Sequence, residues 1–216
     1  MPLATVITAV VAAIAGAALG WWPLAAWTQR TSNGERIPLR TARIVGAAIT
    51  AVTFGALVLR FGLVPILPAL LVFASAATVL TLVDLAEKRL PNAVIFPVLG
   101  VIAVLLVPAT WAAGTWWPLL WAVAGSAGMF AVYFVLALIS PSSMGMGDVK
   151  LSLVIGLLVG WFGLNGWLLA LLAAFVVGGV VALVALALRR VTLRGSIPFG
   201  PSMLAGALIA VLFVGP

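Results

Sequence analysis

Met144-Gly145-Met146-Gly147-Asp148-Val149-Lys150-Leu151 follows one long apolar run, residues 118–139, and opens another, residues 149–162. The chain around it is 65% hydrophobic, and its acidic residues are four: Glu35, Asp84, Glu87 and Asp148. One of them stands here, directly after a glycine-flanked turn. A carboxylate at the centre of a membrane helix costs about 2.5–3.5 kcal/mol, and less near the interface. Two glycines at alternate positions remove side chains, so another backbone can come close and the turn can take positive φ. Together they suggest a carboxylate presented to something that must approach it. An ordinary reading also stands: Asp148 caps a helix beginning at Val149, and Lys150 is a snorkelling anchor at the water boundary.

Working outward, a mean hydropathy of +1.35 and 7% charged residues describe no soluble domain. Apolar runs occupy residues 3–27, 44–59, 65–83, 93–108, 118–139, 149–162, 167–188 and 198–214. A membrane helix needs about 20 predominantly apolar residues, so the fold class is all-α, a polytopic integral membrane protein of about eight spans. Residues 1–216 read as one membrane-embedded domain, and residues 28–43, the longest polar stretch, as a reduced cytoplasmic loop. The first run has no basic residue before it, unlike a secretory signal, which predicts a retained span with its N-terminus outside.

Eight spans with both termini outside put ten of the eleven basic residues in inner loops and leave Arg60 on the far face. The positive-inside rule selects that orientation. The net charge of +7 is therefore topology information, and nucleic acid is not an expected partner. All four acids fall on the cytoplasmic side. Asp84 and Asp148 each lie at a junction of span and inner loop, and face each other if the third and sixth spans pack together.

Zero cysteine excludes disulfides, thiolate zinc sites and a cysteine nucleophile. Zero histidine removes the usual general base and the commonest transition-metal ligand. Two carboxylates remain able to share one proton, one acting as base on a water and the other as acid toward a carbonyl oxygen. Such a pair needs neither metal nor cofactor. A helix start near Asp148 favours its charged form by about 0.3–1 kcal/mol. Burial and a neighbouring carboxylate favour protonation, by up to about 3–5 pKa units for a fully buried group. From the residues alone, an ion-coupled transporter or a catalytically silent scaffold also stays open, because membrane acids mark proton and cation paths. Those acids lie typically near mid-span beside broken helices, whereas these lie at loop junctions.

Three motifs in order carry a family resemblance: Asp84 followed by Leu90-Pro91-Asn92, then Gly145-x-Gly147-Asp148-Val149-Lys150-Leu151, then Ile197-Pro198-Phe199-Gly200-Pro201. This set resembles the type IV prepilin peptidases, bacterial relatives of the archaeal preflagellin peptidases within the GxGD group of membrane aspartic proteases. The resemblance implies that Asp84 and Asp148 are the catalytic pair and that no metal is held. The substrate it implies is a type IV prepilin or pseudopilin, cut at a glycine between its basic leader and its apolar helix. The site would lie at the cytoplasmic face of the inner membrane, with the substrate helix entering laterally among the spans. Gly145 and Gly147 would leave room for the extended substrate. Pro91 and Asn92 belong to the first motif, and Pro198, Phe199 and Gly200 would close a third side or simply start a helix. Lys150 or Arg89 would pair with an acidic residue after the cut, or serve as anchors. Many members carry a cysteine-bearing zinc segment and an N-methyltransferase activity; residues 28–43 hold no cysteine, so the expected activity is the peptidase alone.

Overall fold

The computed structural model describes residues 3–32, 37–140, 144–188 and 198–214. Glu35, the basic residues Arg36, Arg189, Arg190 and Arg194, and Ile197 of the third motif lie outside the described residues. Among the described residues every regular element is helical, and the chain is a multi-pass, all-α membrane protein.

The first rod runs from Leu3 to Thr31 as α1 (Leu3–Leu19), a wide π-helical stretch (Gly20–Leu24) and α2 (Ala25–Thr31). Pro23 causes the widening. Proline has no N–H, and its ring clashes with the carbonyl four residues back, so an extra residue in the turn relieves both. Then come α3 (Leu39–Phe61), α4 (Leu67–Glu87), α5 (Asn92–Ala112), α6 (Trp117–Ile139), α7 (Met146–Gly160), α8 (Gly163–Ala187) and α9 (Gly200–Val214). Each of the eight expected runs thus has its own helical rod. Helix extends further than hydropathy indicated around residues 28–43: α2 runs to Thr31 and α3 begins at Leu39.

Six rods are long and apolar enough to cross a bilayer. α7 and α9 have 15 residues each, about 22 Å at 1.5 Å per residue against a hydrocarbon core of about 30 Å. Of the helices matching the eight or so expected spans, six are of full length and two are short.

Lipid gives no hydrophobic force between helices, so small residues that let backbones touch hold the bundle. α1 meets α3 at Gly16, Gly20 and Gly46, where Thr50 Oγ1 donates to Gly16 O at 2.6 Å and to Gly46 O at 2.7 Å. α6 meets α7 at Gly125, Gly156 and Gly160, and α8 meets α9 at Gly206 beside Ala174. α4 and α7 are buried along most of their length, whereas α1 and α8 show apolar faces outward. The central helices are those that carry the aspartates. They do not pack along one another as expected of the third and sixth spans. α4 lies against α3, α5 and α9, and α7 against α5, α6, α8 and α9, so α5 and α9 bridge them.

Candidate active site

Asp84 lies in the last turn of α4 and Asp148 in the first turn of α7, 4% and 9% exposed. Both open onto one cavity of about 270 Å³, lined also by Lys88, Arg89, Leu90, Gly145, Met146 and Gly147. Each carboxylate is held by a backbone amide at a helix start. The N–H of Gly200, first residue of α9, donates to Asp84 Oδ2 at 3.1 Å. The N–H of Gly145, which caps α7, donates to Asp148 Oδ2 at 3.2 Å. Capping and presentation are therefore one arrangement: Asp148 closes the first turn of its own helix and still faces the cavity. That helix starts at Met146, three residues earlier than the apolar run suggested.

At the cavity Asp148 stands ahead of the apolar run of α7. Burial holds its carboxyl above the ordinary carboxylate range, and the Gly145 N–H works against that rise.

The chain between α4 and α5 forms the opposite wall. Lys88 ends α4 in the left-handed region, at φ 51° and ψ 41°, while its N–H reaches back to Asp84 O at 2.8 Å. This reversal turns Leu90 inward, 8% exposed, and Pro91 caps α5 by accepting from the N–H of Val94 at 3.0 Å. A side chain on Gly147 would put its Cβ 3.1 Å from Leu90 Cβ. Gly147 thus seats the Leu-Pro-Asn turn against the glycine turn; the room beside it belongs to Leu90. Beside Gly145, by contrast, the nearest described atom to an added Cβ is Asp148 Oδ2 at 3.6 Å, an ordinary contact distance.

Other expected site residues sit around this centre with partners of their own. Lys150 Nζ donates to Asn92 Oδ1 at 3.3 Å, tying α7 to α5. Arg89 Nε lies 3.5 Å from the buried Glu87 carboxylate. Phe199 is away from the cavity, packed on Tyr133 and Phe175 with ring centroids 6.4 and 5.4 Å apart, over a face of α8 left bare by Gly178. Pro198, half-buried, leads into that anchor. Gly200 makes the third motif part of the centre, since a Cβ there would lie 2.7 Å from Asp84 Oδ2. Gly200 starts a helix whose first amide grips Asp84, while Pro198 and Phe199 are not among the residues lining the cavity.

Reading by residue type missed Lys88, Leu90 and Met146 as cavity lining. Leu90 was inside a motif and had a signal; Lys88 and Met146 depend on a backbone reversal that no composition reveals.

A bundle of apolar helices with two buried carboxylates facing one polar cavity defines a multi-pass membrane protein whose chemistry is gathered at one end. The sequence profile of the type IV leader peptidase family matches residues 71–183, from α4 into α8, with both aspartates inside. The chain belongs to that family.

It is similar to the prepilin leader peptidase/N-methyltransferase of Bacillus subtilis (strain 168), 30% identical over 169 residues, 76% of this chain and 63% of that protein. It is also similar to the protein of the same description from Pseudomonas putida, 31% identical over 189 residues, 83% of this chain and 60% of that protein. For that of Stutzerimonas stutzeri the identity is 28% over 147 residues, 67% of this chain and 49% of that protein. The chain spans about half to three fifths of the length of these curated relatives. No solved structure matches it.

Proposed function

We propose that this protein is an aspartic endopeptidase that removes the leader of a type IV prepilin or pseudopilin, with Asp84 and Asp148 sharing one proton. The observation that carries this reading is the shared cavity, onto which both buried carboxylates open while a helix-start amide holds one oxygen of each. Among the described residues these are the hydrogen bonds the two carboxylates accept. Each Oδ1 is left to bind water or a proton.

In the proposed cycle the ionised carboxylate takes a proton from a water as that water attacks the scissile carbonyl. The protonated carboxyl gives its proton to the carbonyl oxygen. Collapse then expels the amine, which takes a proton from the first carboxyl, while the hydroxyl that becomes the new carbonyl returns its proton to the second carboxylate, so the pair again holds one proton. The amides of Gly200 and Gly145 keep the two carboxylates from swinging while charge moves between them.

The charge distribution supports an inward-facing site. Lys88, Arg89 and Lys150 gather at the cavity end. Arg60 lies at the opposite end, where its Nε donates to Leu212 O at 2.9 Å, at the end of α9 away from Gly200. Basic residues concentrate on the cytoplasmic side of a membrane protein, and a cytoplasmic prepilin leader would meet the cavity there. The names of the relatives include an N-methyltransferase; residues 28–43 contain no cysteine to build the zinc segment of full-length members, and we assign this chain the peptidase step alone.

The test is cleavage of a co-expressed prepilin. Wild-type protein should release the leader, while Asp84→Asn and Asp148→Asn should each accumulate in the membrane, folded, and leave it uncut. Trimming that survives both replacements refutes the dyad.

A further inference from the structure

The chain contains one tyrosine, Tyr133, and it is placed where an apolar membrane helix has no need of a hydroxyl. It is 1% exposed, deep in α6. Its ring stacks on Phe175 with centroids 6.0 Å apart and planes 16° from parallel, and it also touches Phe199. Phenylalanine would satisfy those contacts as well as tyrosine does. Among the described residues no hydrogen bond engages the hydroxyl. A buried tyrosine hydroxyl ordinarily serves a polar partner, which the ring contacts do not supply.

The register of α6 on α7 shows what lies beside it. The two helices run antiparallel and touch through backbone: a Cβ on Gly160 would strike Trp121 O, and one on Gly156 would strike Gly125 O. Trp121 is thus level with Gly160, and Gly125 with Gly156. Each further turn of four residues along α6 is matched by four back along α7, so Met129 comes level with Ser152 and Tyr133 with Asp148. Met129 does lie against Gly156 and Ser126 bonds to Leu153 O at 2.9 Å, which keeps the register within a turn. That register sets Tyr133 of α6 level with the first turn of α7, which carries Asp148. Its other neighbour, Phe199, immediately precedes the glycine whose amide holds Asp84.

We propose that Tyr133 is a positioning residue for Asp148, its hydroxyl turning to donate to the carboxylate oxygen that Gly145 leaves open when the site works. Asp148 is then held by an amide on one oxygen and a phenol on the other, while the ring keeps Phe199 and so Gly200 in place. This rests on the proposed dyad and adds a third group to it.

The test compares Tyr133→Phe and Tyr133→Leu in the purified full chain. With a prepilin as substrate, Tyr133→Phe should keep the melting temperature and KM of the wild type and lower kcat about 10- to 100-fold. Tyr133→Leu should lower kcat at least as far and also melt earlier. A Tyr133→Phe enzyme with wild-type kcat overturns the proposal, because the ring alone then suffices; so does a rise in KM with kcat unchanged. A second measurement is independent of turnover. Biosynthetic 3-fluorotyrosine labels one position in this chain, and its ¹⁹F resonance should move in Asp148→Asn and stay near its wild-type place in Lys150→Gln. A resonance indifferent to Asp148 overturns the proposal even if no substrate is cut. A resonance that moves in a protein that cuts no prepilin supports the contact and counts against the peptidase reading instead.

Discussion

Gly200→Ala isolates the grip of α9 on Asp84. Its Cβ would stand 2.7 Å from Asp84 Oδ2, 3.2 Å from Leu90 Cδ2 and 3.3 Å from Asp84 Cγ. Contacts that short do not persist, and Leu90 is itself wedged against Gly147, so the carboxylate must retreat by several tenths of an ångström. The 3.1 Å bond from the Gly200 amide is lost with that movement. A hydrogen bond to a charged group contributes about 1.5–3 kcal/mol. Spent wholly on the transition state, that loss is about 10- to 100-fold in kcat, and a displacement approaching 1 Å at a reacting group costs a similar factor of about 10². The assay is steady-state prepilin cleavage by purified protein, with a melting curve for every variant. Gly179→Ala is the matched control, because an added Cβ there meets nothing within 4 Å. Glycine inside a helix costs about 0.5–1 kcal/mol relative to alanine, so the control should be neutral or slightly stabilised and fully active. A folded Gly200→Ala enzyme within twofold of wild type would show that the Asp84–Gly200 contact has no part in the working geometry.

Gly156→Ala should displace α7 along α6, since its Cβ would strike Gly125 O and come within 2.7 Å of Met129 Cβ; overpacking of this kind costs about 1–3 kcal/mol, and a melting curve with a cleavage assay should show both functions fall together. Lys88→Gly should stabilise the fold by about 1 kcal/mol, because Lys88 holds φ 51°, where a side chain is penalised and glycine is not; an unchanged or lower melting temperature would contradict it. Cleavage should follow a bell-shaped pH profile, since a pair that works with one proton is idle both with two and with none. A single sigmoid would argue for one titrating acid.

The fold was legible because lipid makes hydropathy almost sufficient: every expected apolar run has its rod, from Leu3 to Val214. Errors fall where polar residues continue a helix. Leu39, Arg40 and Arg43 belong to α3 although hydropathy starts that span at Ile44; an arginine can snorkel to water without breaking the backbone ladder. Asp84, Asp148 and Gly200 could be named from motifs because each is a residue type the surrounding run has no use for. Gly147 was named with the wrong neighbour, since only the fold puts Leu90 against it. Tyr133 was passed over because one aromatic in an apolar helix reads as core. Its spacing of four from Met129 and Gly125 acquires meaning only once α6 and α7 are known to pair antiparallel.

The bridging of α4 and α7 by α9 has a consequence for how so apolar a chain supports charge. Helix starts leave N–H groups without intrahelical partners, and inside a membrane such groups must be satisfied by protein. α7 and α9 are the two short helices, and both begin at the cavity. Gly145 and Gly200 therefore deliver amides to Asp148 and Asp84 without any additional polar side chain. Each helix start also carries about half a positive charge, which favours negative charge on the carboxylate it faces. Lys88 and Arg89 line the same cavity and add positive charge beside those starts. The short helices α7 and α9 thus bring two amide-bearing starts to the carboxylates of the proposed dyad. Lengthening α9 by a turn at its start should remove the amide from Asp84 and abolish cleavage even with both aspartates intact; retained cleavage in that variant would show that the Gly200 amide is dispensable.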